Sequence, residues 1–372
     1  MTGKVNSQMR IQGVPRIGQG TMGLGGNFSP DYSRDEQCVR ALRLGIDLGL
    51  TLIDVAENYG GGHAEELVGR AVRGVRDQVL ICTKVSPEHL AFDRTIEACE
   101  NSLKRLGIDT IDLYQIHWPN AAIPIEDTMA AMIRLRDQGK IRHIGVSNFS
   151  LPQMVAAGPE VVSNQLEYNL FDRMIEQDVA PYCRENNLLL LAYSPLDQGR
   201  IEPDSDRARL LTGLAEKYGK TPSQIALNWL TAEPNVTAIP KAMNAEHIRR
   251  NAEAIDFDMD TKDALSVDRA FQTDPLEIPP DQIKVVLDGQ GSRQAYQTIE
   301  QALENKLGFT PSPAELAREM LELDQRIKPV RVRSAANTGG PHPYELVEGR
   351  IRYWAWVIAH EGRKKIPVLL RD

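Results

Sequence analysis

From residue 16 to about residue 255, short apolar runs alternate with amphipathic stretches eight times over: RIGQGTMGLG, TLIDV, QVLICTKV, IDLYQIHW, IRHIGVSN, VVSNQLEYN, LLLLAYSPL and VTAIPKA. Such runs read as strands buried on both faces. Between them lie helical patterns such as DEQCVRALRLGIDLG, where Cys38, Val39, Leu42 and Ile46 recur at three- and four-residue spacing and so share one face. Alternating strands and helices imply a parallel sheet, because parallel neighbours need crossover connections and right-handed crossovers put the helices outside. Eight units predict a closed α/β (β/α)8 TIM barrel. The alternative, an open doubly wound sheet, would carry a phosphate-binding turn after its first strand. The run GQGTMGLGG, residues 18–26, is glycine-rich, but its spacing is not G-x-G-x-x-G.

A barrel gathers its active site at the C-terminal ends of its strands. There the sequence places Asp54 at the end of the second strand, Tyr59 in the loop after it, Lys84 at the end of the third and His117 at the end of the fourth. Taken singly, each has an ordinary explanation: a loop cap, a core-edge aromatic, a snorkelling lysine, a satisfied buried histidine. Taken together they favour chemistry. A lysine closing the run VLICT points toward the barrel axis, where a lone ammonium is costly, so a neighbouring strand is expected to supply the opposite charge, and Asp54 is placed to do so. Hydride delivery to a carbonyl carbon puts negative charge on the oxygen, which needs a donor and then a proton. Tyr59 can provide both, Lys84 is expected to lower its pKa from the ordinary value of about 10, and His117 is expected to orient the oxygen.

Charge and composition narrow the partners. The chain has 372 residues and a formal net charge of −8, which argues against a protein that coats nucleic acid or an anionic membrane and favours small molecules. The opening MTGKVNSQMRIQG lacks the order of a secretory leader, and no apolar run approaches the roughly 20 residues of a membrane span, so a cytoplasmic location is expected. Cys38, Cys82, Cys99 and Cys183 are scattered without C-x-x-C spacing; they read as reduced core thiols, with neither a metal site nor a disulfide framework.

Taken in order, DVAENYG, TK, IHWP, GVSNF, NQLEYN, AYSPL and AIPKA resemble the motifs of the aldo-keto reductase family over roughly residues 10–270. The resemblance implies a catalytic tetrad of Asp54, Tyr59, Lys84 and His117 and a nicotinamide cofactor. It implies that Ser147, Asn148 and Gln165 hold the nicotinamide carboxamide, that Tyr193 stacks on the ring, that Ser194 and Leu196 follow the pyrophosphate, and that Met22, Gly23 and Asp54 also face the cofactor. Without it, YSPL reads as a strand end with a proline-fixed turn and GVSNF as a strand ending in a helix cap. At the adenine end, IPKAMNAEHIRRN puts Asn244 at a helix N-cap, where backbone N–H groups favour phosphate. Lys241, His247 and Asn251 match that motif, whereas Ala242 and Arg250 depart from it. Lys241 and Arg250 favour NADPH, with NADH the alternative; a solvated basic helix face is the competing reading. Phe28, Trp118 and Phe149 can line an apolar pocket, or simply pack. The polar run DQGRIEPDSD is too short for a long lid. The substrate expected is a small aldehyde, ketone or sugar, or the corresponding alcohol.

From about Asp274 the alternation stops. DPLEIPP reads as a junction between a barrel domain, residues 1–273, and a small α+β accessory domain, residues 274–372. The order of helix PSPAELAREMLELDQRI, strand PVRVR, YELVEGRIRYWA and strand IPVLL resembles the ParB/sulfiredoxin-like fold. That resemblance implies that Gly349, Arg350 and Arg352 open a helix and contact a nucleotide phosphate or a partner. No cysteine follows Cys183, which excludes sulfiredoxin chemistry, and with no helix-turn-helix pattern in the sequence after this segment no specific DNA binding is expected, since it loses most of its support. Packing on the barrel or an oligomer contact is the plainer role. Three functions remain: an NAD(P)H-dependent oxidoreductase, a nicotinamide-binding redox-sensing regulatory subunit, and a nucleotide-binding or phosphotransfer protein acting through the tail. Only the first uses all four barrel residues.

Overall fold

The computed structural model describes residues 11, 13–199, 205–233, 235–272, 275–286, 295–323, 327–335 and 342–371. Eight strands pair in parallel in chain order: β1 (Gln19–Gly20), β2 (Leu52–Asp54), β3 (Leu80–Val85), β4 (Ile111–Ile116), β5 (Ile141–Ser147), β6 (Val161–Glu167), β7 (Leu189–Tyr193) and β8 (Val236–Ala238). Ile17 bridges Ala238, and the Gly18 amide donates to the Ala238 carbonyl at 2.8 Å, so the sheet closes into the expected barrel. In the helix Asp35–Asp47, the face of Cys38, Val39, Leu42 and Ile46 is buried.

The first strand is far shorter than its sequence run. Only Gln19 and Gly20 pair with β2, and the chain then turns through Gly23, Gly25 and Gly26, all at positive φ. The glycines of this run serve close approach. A Cβ at Gly18 would lie 2.7 Å from the Leu52 carbonyl oxygen, and one at Gly20 would lie 2.8 Å from that of Ile239. The first strand therefore sits tightly between its two neighbours, and the run cradles no dinucleotide turn of the open-sheet kind.

The second unit has its own sheet, in the order β10-β12-β11-β13-β9, with β9 (Leu276–Ile278), β10 (Ile283–Val285), β11 (Val330–Ser334), β12 (Tyr344–Glu348) and β13 (Ile366–Arg371). Parallel and antiparallel pairings are mixed. Its core gathers Tyr296, Val330, Val332, Leu346, Trp354, Ile366 and Val368. Part of the DPLEIPP junction is thus strand: Leu276–Ile278 pairs antiparallel with β13 at the sheet edge, where the following prolines break no ladder. PVRVR and IPVLL form strands as expected, and Ser312 and Glu315 build a reciprocal cap on the helix Pro313–Glu322.

All four cysteines are buried and free. Among the described residues, no helix is long and apolar enough to cross a membrane, and no group of His, Cys, Asp or Glu is arranged to hold a metal ion.

Candidate active site

Strand alternation sends Lys84 into the barrel and Thr83 outward. Lys84 is fully buried, and its Nζ donates to Asp54 Oδ2 at 2.9 Å, to the Val55 carbonyl at 2.8 Å and to Tyr59 Oη at 3.5 Å. Asp54 is 4% exposed and is held from two more sides: Gln165 Nε2 donates to its Oδ1 at 2.7 Å, and Thr21 Oγ1 to its carbonyl at 2.8 Å. The Tyr59 and His117 rings meet edge to face, with centroids 5.7 Å apart. The four residues read from the strand ends therefore converge on one mouth.

Electrostatics correct one expectation. Burial raises the Tyr59 phenol, and although the Lys84 ammonium pulls it down, burial together with Asp54 wins, so its pKa stands above rather than below the ordinary value. Burial works against the Lys84 ammonium, but the Asp54 carboxylate and Tyr59 outweigh it and Lys84 is raised too. His117 is lowered to about 3 by burial and then by Lys84, so the ring is neutral. Its Nδ1 is buried without a hydrogen-bond partner.

The expected nicotinamide residues lie on adjacent strand ends. Ser147 Oγ donates to the Gln165 carbonyl at 3.0 Å, and Asn148 Nδ2 donates to the His117 carbonyl at 3.0 Å. Tyr193 Oη donates to Asn148 Oδ1 at 3.0 Å, which fixes the tilt of a half-buried ring. Asn148 and Ser194 take positive φ, 64° and 47°, each turning the chain sharply at the barrel rim. The Ser194 carbonyl accepts from Asn169 Nδ2 at 3.0 Å, and Leu196 packs against the core. Met22 is 40% exposed, and Gly23 follows it at φ 84°.

At the expected adenine end, Asn244 caps the helix Ala245–Ala252, its side chain accepting from the Glu246 and His247 amides. Those amides are engaged by the cap, so they do not wait free for a phosphate. Lys241 and His247 are exposed, and Asn251 is buried. Arg250 pairs with Glu246 one turn earlier, which balances the charge it was expected to add, while Lys241 and Arg249 stay exposed. Phe149 is buried in the core rather than lining the mouth, whereas Phe28 and Trp118 are exposed. Residues 200–204 of DQGRIEPDSD lie outside the described residues.

In the second unit, Gly349 takes φ 91° and precedes the helix Arg350–Ala359, as expected. Both arginines are engaged internally: Arg350 Nη2 donates to the Val286 carbonyl at 3.1 Å, and Arg352 Nη1 to the Lys328 and Pro329 carbonyls at 2.9 and 3.1 Å. These contacts tie the helix to its own sheet.

Sequence reasoning missed a buried cluster behind Lys84 and Tyr59. Thr83 Oγ1 donates to Glu65 Oε1 at 2.5 Å, and Arg105 Nε donates to Glu65 Oε2 at 2.7 Å. The available signal was Thr83 itself, a hydroxyl facing the helix layer beside Lys84, with a glutamate in the helix that follows Tyr59.

Comparison with known proteins agrees with this geometry. The model of the aldo/keto reductase family matches residues 16–271. A methylglyoxal reductase of Escherichia coli strain K12 is 38% identical over 264 residues, covering 69% of this chain and 91% of the relative. The crystal structure of a thermostable aldo-keto reductase in complex with the inhibitor epalrestat is 43% identical, with a TM-score of 0.67, over 70% of this chain and 96% of the other. An aldo/keto reductase from Klebsiella pneumoniae, solved with NADP and acetate, is 41% identical, with a TM-score of 0.65, over 69% and 92%. With a closed eight-stranded barrel and the family model spanning most of its length, the chain belongs to the aldo/keto reductase family.

Proposed function

We infer that this protein is an NADPH-dependent carbonyl reductase for small, reactive aldehydes and ketones, with α-oxoaldehydes of the methylglyoxal class as the substrates to test first. The observation that carries the reading is the buried chain from Gln165 through Asp54 and Lys84 to Tyr59, with neutral His117 against the Tyr59 ring. The named activity of the Escherichia coli relative and the NADP held by the Klebsiella pneumoniae structure support the substrate class and the cofactor.

The residues present fit a nicotinamide. A carboxamide needs both donors and acceptors, and one hydroxyl and two side-chain amides, Ser147, Asn148 and Gln165, stand at neighbouring strand ends beside Tyr193. When bound, the cofactor supplies the hydride. Tyr59, protonated at neutral pH because its phenol is raised, donates a hydrogen bond and then its proton to the carbonyl oxygen. Lys84 stabilises the phenolate left behind, and Asp54 holds Lys84 charged in a site where a lone ammonium would not survive burial. Neutral His117 offers its N–H to the same oxygen and orients it. Lys241 serves the 2′-phosphate.

Residues 274–372 form an accessory domain of ParB/sulfiredoxin-like build in this reading. Its support is a mixed five-stranded sheet with a glycine-opened helix between β12 and β13. With both Arg350 and Arg352 engaged on backbone carbonyls, a structural role for them is favoured over phosphate binding.

The test is nicotinamide consumption by the purified protein with NADPH and, separately, NADH over a panel of aldehydes, ketones and sugars. Turnover that Tyr59→Phe abolishes while cofactor binding persists is the expected result. A Tyr59→Phe variant that keeps most of its rate would overturn the mechanism.

A further inference from the structure

We propose that Thr83, Glu65 and Arg105 form a buried brace that sets the distance between Tyr59 and Lys84, and so act as positioning residues for proton transfer. This rests on the reading of Tyr59 as the proton donor. Glu65 is fully buried, and it accepts hydrogen bonds from Thr83 and Arg105. Its carboxylate is gripped from two elements: Thr83 Oγ1 at 2.5 Å from β3, and Arg105 Nε at 2.7 Å from the helix Phe92–Leu106, with Arg105 Nη2 also donating to Ser102 Oγ at 3.2 Å. A buried ion pair is a poor source of stability by itself, because desolvation offsets most of the attraction. A carboxylate placed there therefore calls for a role in fixing conformation.

The brace connects the two halves of the proton relay. Thr83 is the residue before Lys84 on β3. Glu65 lies in the first turn of the helix His63–Ala71, which the single turn Tyr59–Gly62 enters directly. Through Glu65, the strand carrying Lys84 is thus joined to the segment carrying Tyr59. Arg105 acts a second time: a Cβ at Gly62, where φ is 97°, would lie 2.8 Å from Arg105 Cδ, so the arginine stem lies directly against the Tyr59 turn. From the other side, the Gly60 amide donates to the Asn27 carbonyl at 2.7 Å, and a Cβ at Gly60 would lie 2.5 Å from the Gly25 oxygen. Clamped between these surfaces, Tyr59 Oη stands 3.5 Å from Lys84 Nζ, a separation that small shifts of either segment would lengthen.

The test uses Thr83→Val, which removes only the hydroxyl link, and Glu65→Ala, which removes the hub, with Glu65→Gln as the conservative rescue. A glutamine can give its oxygen to Arg105 and its amide to Thr83 Oγ1. Each variant is assayed for NADPH-dependent reduction of methylglyoxal from neutral to alkaline pH, and NADPH affinity is measured by quenching of protein fluorescence. The expected result is a kcat lower by about tenfold to a hundredfold in Thr83→Val and Glu65→Ala, the cost of a misplaced donor, with NADPH affinity retained. The alkaline limb of the rate profile moves up, because a more distant ammonium lowers the phenol less. Glu65→Gln stays close to wild type. An unchanged kcat, or a loss equal at every pH with no shift of the limb, overturns the brace. Tyr59→Phe is run alongside. If it is inactive while Thr83→Val matches wild type, only the brace fails; if it turns over, the reading of the site fails and the brace with it.

Discussion

The buried Lys84 ammonium allows the reasoning to be tested with a number. Its Nζ lies 3.5 Å from Tyr59 Oη. At that distance and an effective dielectric constant of about 20, it stabilises a phenolate by about 5 kcal/mol. Asp54, which raises the same phenol, offsets part of this. If half the energy is felt in the transition state, Lys84→Met lowers kcat about fiftyfold; if all of it is, about 3000-fold. The substitution also strands the Asp54 carboxylate, which is 4% exposed, and breaking a buried pair this way costs about 3–5 kcal/mol of stability. The double variant Lys84→Met/Asp54→Asn removes both charges and should recover much of the lost Tm without recovering the rate. The assay pairs thermal unfolding with NADPH-dependent turnover of a reactive aldehyde. A Lys84→Met enzyme within about tenfold of wild type, less than half of the energy above, would refute the electrostatic role, and so would a double variant whose rate returned along with its stability.

Other outcomes follow from the same geometry. In the proposed mechanism Tyr59 acts protonated, and its phenol is raised, so the reduction rate should be level through neutrality and fall only as pH climbs into the phenol range; His117, lowered to about 3, adds no acid limb. A titration in the rate between about pH 5 and 8 would contradict this. Gly20→Ala would force a Cβ to within 2.8 Å of the Ile239 carbonyl, and should lower stability in denaturant unfolding by about 1–3 kcal/mol. Lys241→Ala should raise the KM for NADPH by about tenfold, the worth of one charge-assisted hydrogen bond, while leaving that for NADH nearly unchanged. Equal effects on both cofactors would remove Lys241 from the 2′-phosphate.

The barrel was legible because eight apolar runs of the right length recur between amphipathic stretches, a pattern few folds share. What escaped was short or bent. Leu276–Ile278 is a three-residue edge strand beside two prolines, with too few residues for alternation to register. The meeting of Asp54, Tyr59, Lys84 and His117 was legible because a lysine and a histidine closing apolar strands are expensive unless partnered. Glu65 was not, because a glutamate in the first turn of a helix ordinarily faces water; only the fold brings Thr83 and Arg105 onto it. The pairing of Arg250 with Glu246 was open to inspection as an i,i+4 spacing, and overlooking it overstated the positive charge at the adenine end.

The pKa of Tyr59 shows where sequence reasoning must stop. The order of residues supplies the sign of each neighbour: an ammonium that favours phenolate and a carboxylate that opposes it. It does not supply the weight of desolvation, which depends on how completely the folded walls exclude water. Here burial outweighs the ammonium, and the phenol is raised. A raised phenol is the right starting state for reduction, since the acid must still hold its proton when the substrate arrives. In the proposed mechanism Lys84 then matters after the proton has gone, when a buried phenolate would otherwise stand alone. Burial and the ammonium are therefore complementary rather than redundant: one keeps the proton in place before transfer, and the other makes its departure affordable. On that argument, a substitution that opened the Tyr59 turn to water would lower the phenol pKa and slow reduction at high pH, even with Lys84 and Asp54 intact.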